Sequence, residues 1–198
     1  MTSDSISRRA VLKSLSIGAV AGSVLRIIPL QAAEHVHAAI ETEKADAAGI
    51  YSPKFFAAQQ YKALQTLCET IIPADADSGG AIEAGAPEFI DLLTSENPEY
   101  QSKLGGGLNW LDSTCAKRYG KAYLDCAPQQ EKEILDLIAY RKNAAADEQL
   151  NQGVEFFSLL RNLTSDGFFT SKIGIKYLGY KGNTYRLEFP GCPPVPGT

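Results

Sequence analysis

Four cysteines, two histidines and one short acidic loop are the residues of this 198-residue chain best suited to chemistry. The cysteines are Cys68, Cys115, Cys126 and Cys192. None sits in C-x-x-C, so a structural zinc is not expected, and no C-x-x-C-H occurs to attach a c-type haem. Cys68 and Cys115 fall on apolar helical faces, where each is either a small buried hydrophobe or half of a bridge. Cys115 with Cys126 is one candidate pairing. Cys192, in Phe-Pro-Gly-Cys-Pro-Pro, is placed for a bond to another chain or to a distant helix.

His35 and His37 are the only histidines, at i, i+2 in an otherwise small and polar tract. Two such ligands make a poor metal site, and the tract reads as incidental. No histidine remains in the body of the chain, which removes Ser-His-Asp and Cys-His catalysis. Asp75-Ala76-Asp77-Ser78-Gly79 faintly resembles a calcium loop, but the twelfth position, where a bidentate Glu belongs, is Ala86. It reads as a turn. Glu83, Glu88 and Asp91 have the chemistry of a carboxylate pair, yet with no supporting base they read as a solvated helix face. Gly105-Gly106-Gly107 lacks the spacing and preceding strand of a dinucleotide fingerprint. No catalytic, cofactor-binding or metal-binding residue is therefore expected in this chain.

The elements that carry these residues follow from apolar period. Phe56, Tyr61, Leu64, Leu67, Cys68, Ile71 and Ile72 predict a helix over 54–72, ended by Pro73. Pro87 opens a second, with Phe89, Ile90, Leu92 and Leu93, which stops near Asn97-Pro98. The glycines at 105–107 break the chain before or within a third, lined by Leu108, Leu111, Cys115 and Tyr119. Pro128 opens a fourth, with Ile134, Leu135 and Ile138 buried and Ala127 as a weak cap. A last one runs from about Gly153 to Leu163, closed by Asp166-Gly167. From Phe168 the chain is rich in Gly, Pro and aromatics and has little period. The fold class is mainly α: a small irregular helical domain with an extended Gly/Pro/aromatic-rich C-terminal segment.

The first residues are of another kind. Ser7-Arg8-Arg9-Ala10-Val11-Leu12-Lys13 precedes a moderate apolar run from Ser14 to Leu25 that ends at Arg26. That run is too short to span a bilayer, which takes roughly 20 residues. Arg8, Arg9 and Lys13 before a weak h-region read as a twin-arginine export signal over residues 1–32, or to 38. Leu30-Gln31-Ala32 and Val36-His37-Ala38 both end suitably for cleavage, and a retained anchor is the other outcome. Residues 33–53 read as a linker or arm and 54–198 as the helical domain. Beyond residue 32 the chain holds 15 basic and 22 acidic groups, a net of −7, so nucleic acid is not an expected partner. Twin-arginine export carries folded cargo, often with a cofactor already inserted. A chain with that signal and no cofactor site is expected to accompany a protein that has one.

Two blocks sharpen this. Ile71-Ile72-Pro73-Ala74-Asp75-Ala76-Asp77 continues into Ala81-x-Glu83-Ala84-Gly85-Ala86-Pro87-Glu88-Phe89-Ile90-Asp91. Further on come Phe156-Phe157-x-Leu159-Leu160-Arg161-x-Leu163-Thr164-x-Asp166-Gly167-Phe168-Phe169-Thr170-Ser171, Gly174-Ile175-x-Tyr177-x-Gly179-Tyr180-x-Gly182-Asn183 and Phe189-Pro190-Gly191. Over roughly 55–191 the chain resembles the gluconate 2-dehydrogenase subunit 3 family, with a looser middle where Ala127 stands for a capping Ser. The resemblance implies a non-catalytic small subunit of a membrane-associated FAD-dependent sugar or polyol dehydrogenase. FAD is expected in a glucose–methanol–choline type catalytic subunit and haem c in a third, cytochrome subunit. The small subunit is expected to meet the twin-arginine translocon, to carry the flavoprotein to the periplasm or the inner membrane, and to stabilise it. The expected partner surface is the aromatic tail: Phe168, Phe169, Tyr177, Gly179, Tyr180, Gly182, Tyr185 and Phe189. Packing of that tail over its own helices is the competing expectation. The alternative function is a stand-alone periplasmic hydrolase or binding protein using the carboxylates from Asp75 to Asp91.

Overall fold

The computed structural model describes residues 30–46 and 49–182. They form helices α1 (Leu30–Asp46), α2 (Ala58–Ile71), α3 (Ala86–Ser95), α4 (Gly106–Tyr119), α5 (Pro128–Ile138), α6 (Arg141–Ala146), α7 (Asn151–Phe169) and α8 (Lys172–Tyr177). Among the described residues there is no strand. The mainly α expectation holds. No described helix is long and apolar enough to cross a membrane.

The longest helix, α7, is central and packs against α3, α4 and α2. Its Val154, Phe156, Leu160 and Leu163 are buried with Leu64 and Leu67 of α2, Phe89 and Ile90 of α3, and Leu108 and Leu111 of α4. Each such side chain contributes about 1.5–3 kcal/mol on leaving water. Ile134 and Ile138 of α5 join the same core. Two of the chain's helical starts use polar side chains. Asn97 Oδ1 accepts from the amides of Glu99 (3.0 Å) and Tyr100 (3.3 Å). At α5 the weak cap Ala127 is compensated from within the helix, because its amide donates to Gln130 Oε1 at 3.0 Å.

Three expectations are corrected. First, residues 33–46 are no linker: α1 buries Ala33, Val36 and Ile40 against the body. It packs against α3, with His37 on Phe89 and Lys44 on Glu88. Second, the glycines at 105–107 do not break the chain. A single turn, Pro98–Tyr100, runs through a π turn, Gln101–Gly105, directly into α4. Gly107 is needed there because a Cβ on it would strike the ring of Phe156. Third, Asp166-Gly167 does not end α7, which continues to Phe169. Gly167 lets α7 lie on α3, since its Cβ would meet the Ala86 Cα at 3.1 Å and Phe89 at 3.1 Å. The tail opens with a helix, α8, capped by Ser171, whose hydroxyl accepts from the Gly174 amide at 3.1 Å.

The neighbouring glycines of α4 separate packing from propensity. A Cβ at Gly106 would meet only the amide end of Gln152, at 3.4 Å. Gly106→Ala should be neutral or stabilising by up to about 1 kcal/mol. Gly107→Ala should destabilise by about 1–3 kcal/mol despite the same propensity gain. Urea denaturation of both variants checks this, and equal midpoints would refute the close approach of α4 and α7.

A polar clasp and an exposed apolar end

Asp91 lies in the middle of α3, in Phe-Ile-Asp-Leu-Leu, and is fully buried. An acid in so apolar a setting needs several donors. It has four. Oδ2 accepts from the Tyr51 hydroxyl (2.8 Å) and the Lys54 amide (2.6 Å). Oδ1 accepts from the amides of Phe55 and Phe56, each at 3.1 Å. Residues 54–56 therefore form a turn wrapped on one carboxylate, and α2 begins only at Ala58. Burial, and then the charge of Asp91, push the Tyr51 phenol far up, so it stays a donor.

Glu88, one turn earlier, is also buried and pairs with Lys44 of α1 at 2.9 Å. Beside it Lys54 Nζ reaches Glu43 at 3.1 Å. The Tyr61 phenol is pushed up by burial first, then by Glu88 and Asp91. Further along α1, His37 stacks on Phe89 with ring centroids 5.1 Å apart, and its Nε2 is hydrogen-bonded to Thr170 Oγ1 at 3.0 Å. Burial pushes its pKa down, partly offset by the Gly167 carbonyl, Glu41 and Glu88. An exposed pair, Lys172 with Glu41 at 3.2 Å, adds little. Together these contacts clasp α1 to α3, α7 and α8.

This corrects two more readings. Glu88 and Asp91 are not a solvated face; both are buried, Asp91 with four donors and Glu88 with Lys44 on Oε1 alone. His37 is not incidental, whereas His35 is exposed. The acidic loop is a turn, as expected: Asp75 Oδ1 accepts the amides of Asp77 and Ser78, both at 2.8 Å. Glu69 closes it, accepting from Ala74 (3.1 Å) and Ile82 (3.0 Å). Asp75, Glu88 and Asp91 thus diverge into separate structural roles. Among the described residues no group of three His, Cys, Asp or Glu side chains could hold a metal.

The expected partner surface divides. Phe168 is buried, edge-on to Phe169, and offers nothing to a partner, because α7 extends to carry it inward. Phe169, Tyr177 and Tyr180 are exposed, at 39%, 53% and 47%. Leu178, absent from the expectation, is 58% exposed between the two tyrosines. Gly179 and Gly182 take left-handed conformations, with φ of 62° and 83°, and turn the chain after α8. Tyr185, Phe189 and Cys192, and the export residues Arg8, Arg9 and Lys13, lie outside the described residues. The remaining cysteines are free thiols. Cys68 is fully buried, accepts from the Thr164 hydroxyl at 3.5 Å, and burial pushes its pKa up to about 12. Cys115 and Cys126 are neighbours at the end of α4.

Fold and site define a helical module whose buried polar groups hold its own N-terminal helix in place and whose C-terminal segment exposes Tyr177, Leu178 and Tyr180. A family model described as gluconate 2-dehydrogenase subunit 3 matches residues 58–191. The chain belongs to that family, the small subunit of a dehydrogenase complex. No curated protein and no solved structure matches it. The matched span takes in Glu88, Asp91, the tail to Gly191 and all four cysteines except Cys192; it begins after α1, so the partners of Glu88 on that helix lie outside it.

Asp91→Ala should cost about 3–5 kcal/mol, because it strands three amides and a phenol in the core. Asp91→Asn should cost less, since one acceptor oxygen remains. A urea midpoint that falls at unchanged m-value is the expected reading. A loss below 1 kcal/mol for the alanine variant would show that the turn at 54–56 does not depend on the carboxylate.

Proposed function

We propose that the chain is a non-catalytic small subunit of a periplasmic FAD-dependent sugar or polyol dehydrogenase. It supplies twin-arginine export through Arg8, Arg9 and Lys13 and stabilises the flavoprotein that performs the oxidation. Electrons leave through a cytochrome c subunit, at the inner membrane. The observation that carries the reading, beside family membership, is the exposure of Phe169, Tyr177, Leu178 and Tyr180 in the C-terminal segment. Exposed aromatic and apolar side chains close together in the chain, as Tyr177, Leu178 and Tyr180 are, favour a surface that meets another protein. The flavoprotein is the partner that this reading assigns to that surface.

Co-expression with the flavoprotein tests it. Arg8→Lys together with Arg9→Lys should leave dehydrogenase activity in the cytoplasm. Tyr177→Ser with Leu178→Ser should leave the thermal midpoint of this chain unchanged within about 2 °C, since both side chains are solvated, yet abolish flavin absorbance in the co-purified material. Periplasmic activity from the double-lysine variant would defeat the export role. Full flavin recovery with the double-serine variant would defeat the interface.

A further inference from the structure

We infer that Cys115 and Cys126 are a dithiol pair that closes an intramolecular disulfide when the chain meets a disulfide oxidant. Three features place the sulfurs together. Cys115 lies in the last turns of α4, fully buried. The chain then reverses at Gly120, in the left-handed region with φ 70°, and makes a 3-10 turn, Tyr123–Asp125, back along the helix. The Tyr123 amide donates to Asp112 Oδ1 at 2.9 Å, which fixes that turn one helical turn from Cys115. Cys126 follows directly; its thiol donates to the Ala122 carbonyl at 3.4 Å and lies near enough to Cys115 to raise the pKa of that thiol.

The other pairings are remote from this geometry. Cys68 sits on α2 against Thr164 of α7 and has no cysteine neighbour among the described residues. The order of attack follows from access. Cys126 is 8% exposed and flanked by the exposed Asp125 and Ala127, whereas Cys115 is fully enclosed. Burial, and then Cys126, push the Cys115 thiol up to about 12, so it is the poorer first nucleophile.

The step balances as thiol–disulfide exchange. Cys126 loses its proton and attacks a sulfur of the oxidant, forming a mixed disulfide and releasing one reduced thiol. Cys115 then loses its proton, attacks Cys126 Sγ and expels the second. Two thiols of the chain are oxidised by two electrons, and one disulfide of the oxidant is reduced to two thiols. The bridge ties the end of α4 to the start of α5 and restricts the unfolded chain. The geometry is independent of the export reading; only the encounter with an oxidant in the cell rests on it.

The full chain, purified reduced, is incubated with oxidised glutathione both in its native state and during refolding, alkylated under denaturing conditions and digested with trypsin. The expected product has lost two hydrogens and yields one cross-linked peptide joining residues 104–117 to 122–132. Its thermal midpoint should fall by roughly 5–10 °C on reduction. Cys115→Ser and Cys126→Ser should each lose that dependence on reductant. Complete alkylation of both residues, or a bridge from either one to Cys68 or Cys192, overturns the pairing. Because the purified chain is used, free thiols here would leave the export role standing, and failed export in cells would leave the pair standing.

Discussion

The fold turns on one buried carboxylate. Asp91 is an acid that α3 carries into the core, where it must find donors or destabilise the molecule. It finds three consecutive amides and a phenol from the segment between α1 and α2. That segment has no regular structure of its own to satisfy those amides. Each side resolves the other's deficit, so the turn at 54–56 and the charge at Asp91 exist together. Loss of either leaves buried polar groups unpaired, and this is why the interaction outweighs any surface ion pair in the molecule.

Everything on the N-terminal side hangs from that point. With residues 51–56 fixed, Lys54 is positioned against Glu43, and the end of α1 meets Glu88 through Lys44. Val36 and Ile40 then fall onto the core, and His37 onto Phe89 and Thr170. The arrangement ties α1 to α7 and α8, elements more than a hundred residues away. The chain after α7 is built on another rule. After Phe168 turns inward, the chain spends its polar groups on capping α8 and turning at Gly179. It leaves Tyr177, Leu178 and Tyr180 on the outside. The Asp91 carboxylate is thus satisfied internally, while the apolar side chains that follow α7 stay exposed.

The sequence made the helices of the body legible because their apolar period is strong and proline marks their starts. Pro128 and Pro87 fell where α5 and α3 begin. It misled wherever a glycine or an acid served packing. Gly107 and Gly167 look like breakers, yet each admits a neighbouring helix that a methyl group would exclude. Asp91 and Glu88 look solvated by type, although four apolar neighbours around Asp91 were the available signal of burial. The tract over 33–46 looked like a linker because alanine carries little apolar weight, and its helix depends on contacts 40 to 130 residues distant in sequence. No local pattern encodes those. In the tail the aromatic content signalled a surface, but only the extension of α7 decides that Phe168 faces in and Phe169 out.

The central claim is that the Asp91 clasp is part of the global fold and not a loosely attached arm. Native-state hydrogen exchange at the amides of Lys54, Phe55 and Phe56 tests it most directly. The account predicts that all three exchange only through global unfolding, with an opening free energy equal to that from denaturant titration and falling with it as urea is added. Exchange at a free energy well below the global value, insensitive to urea, would show that the segment opens on its own and would contradict the account.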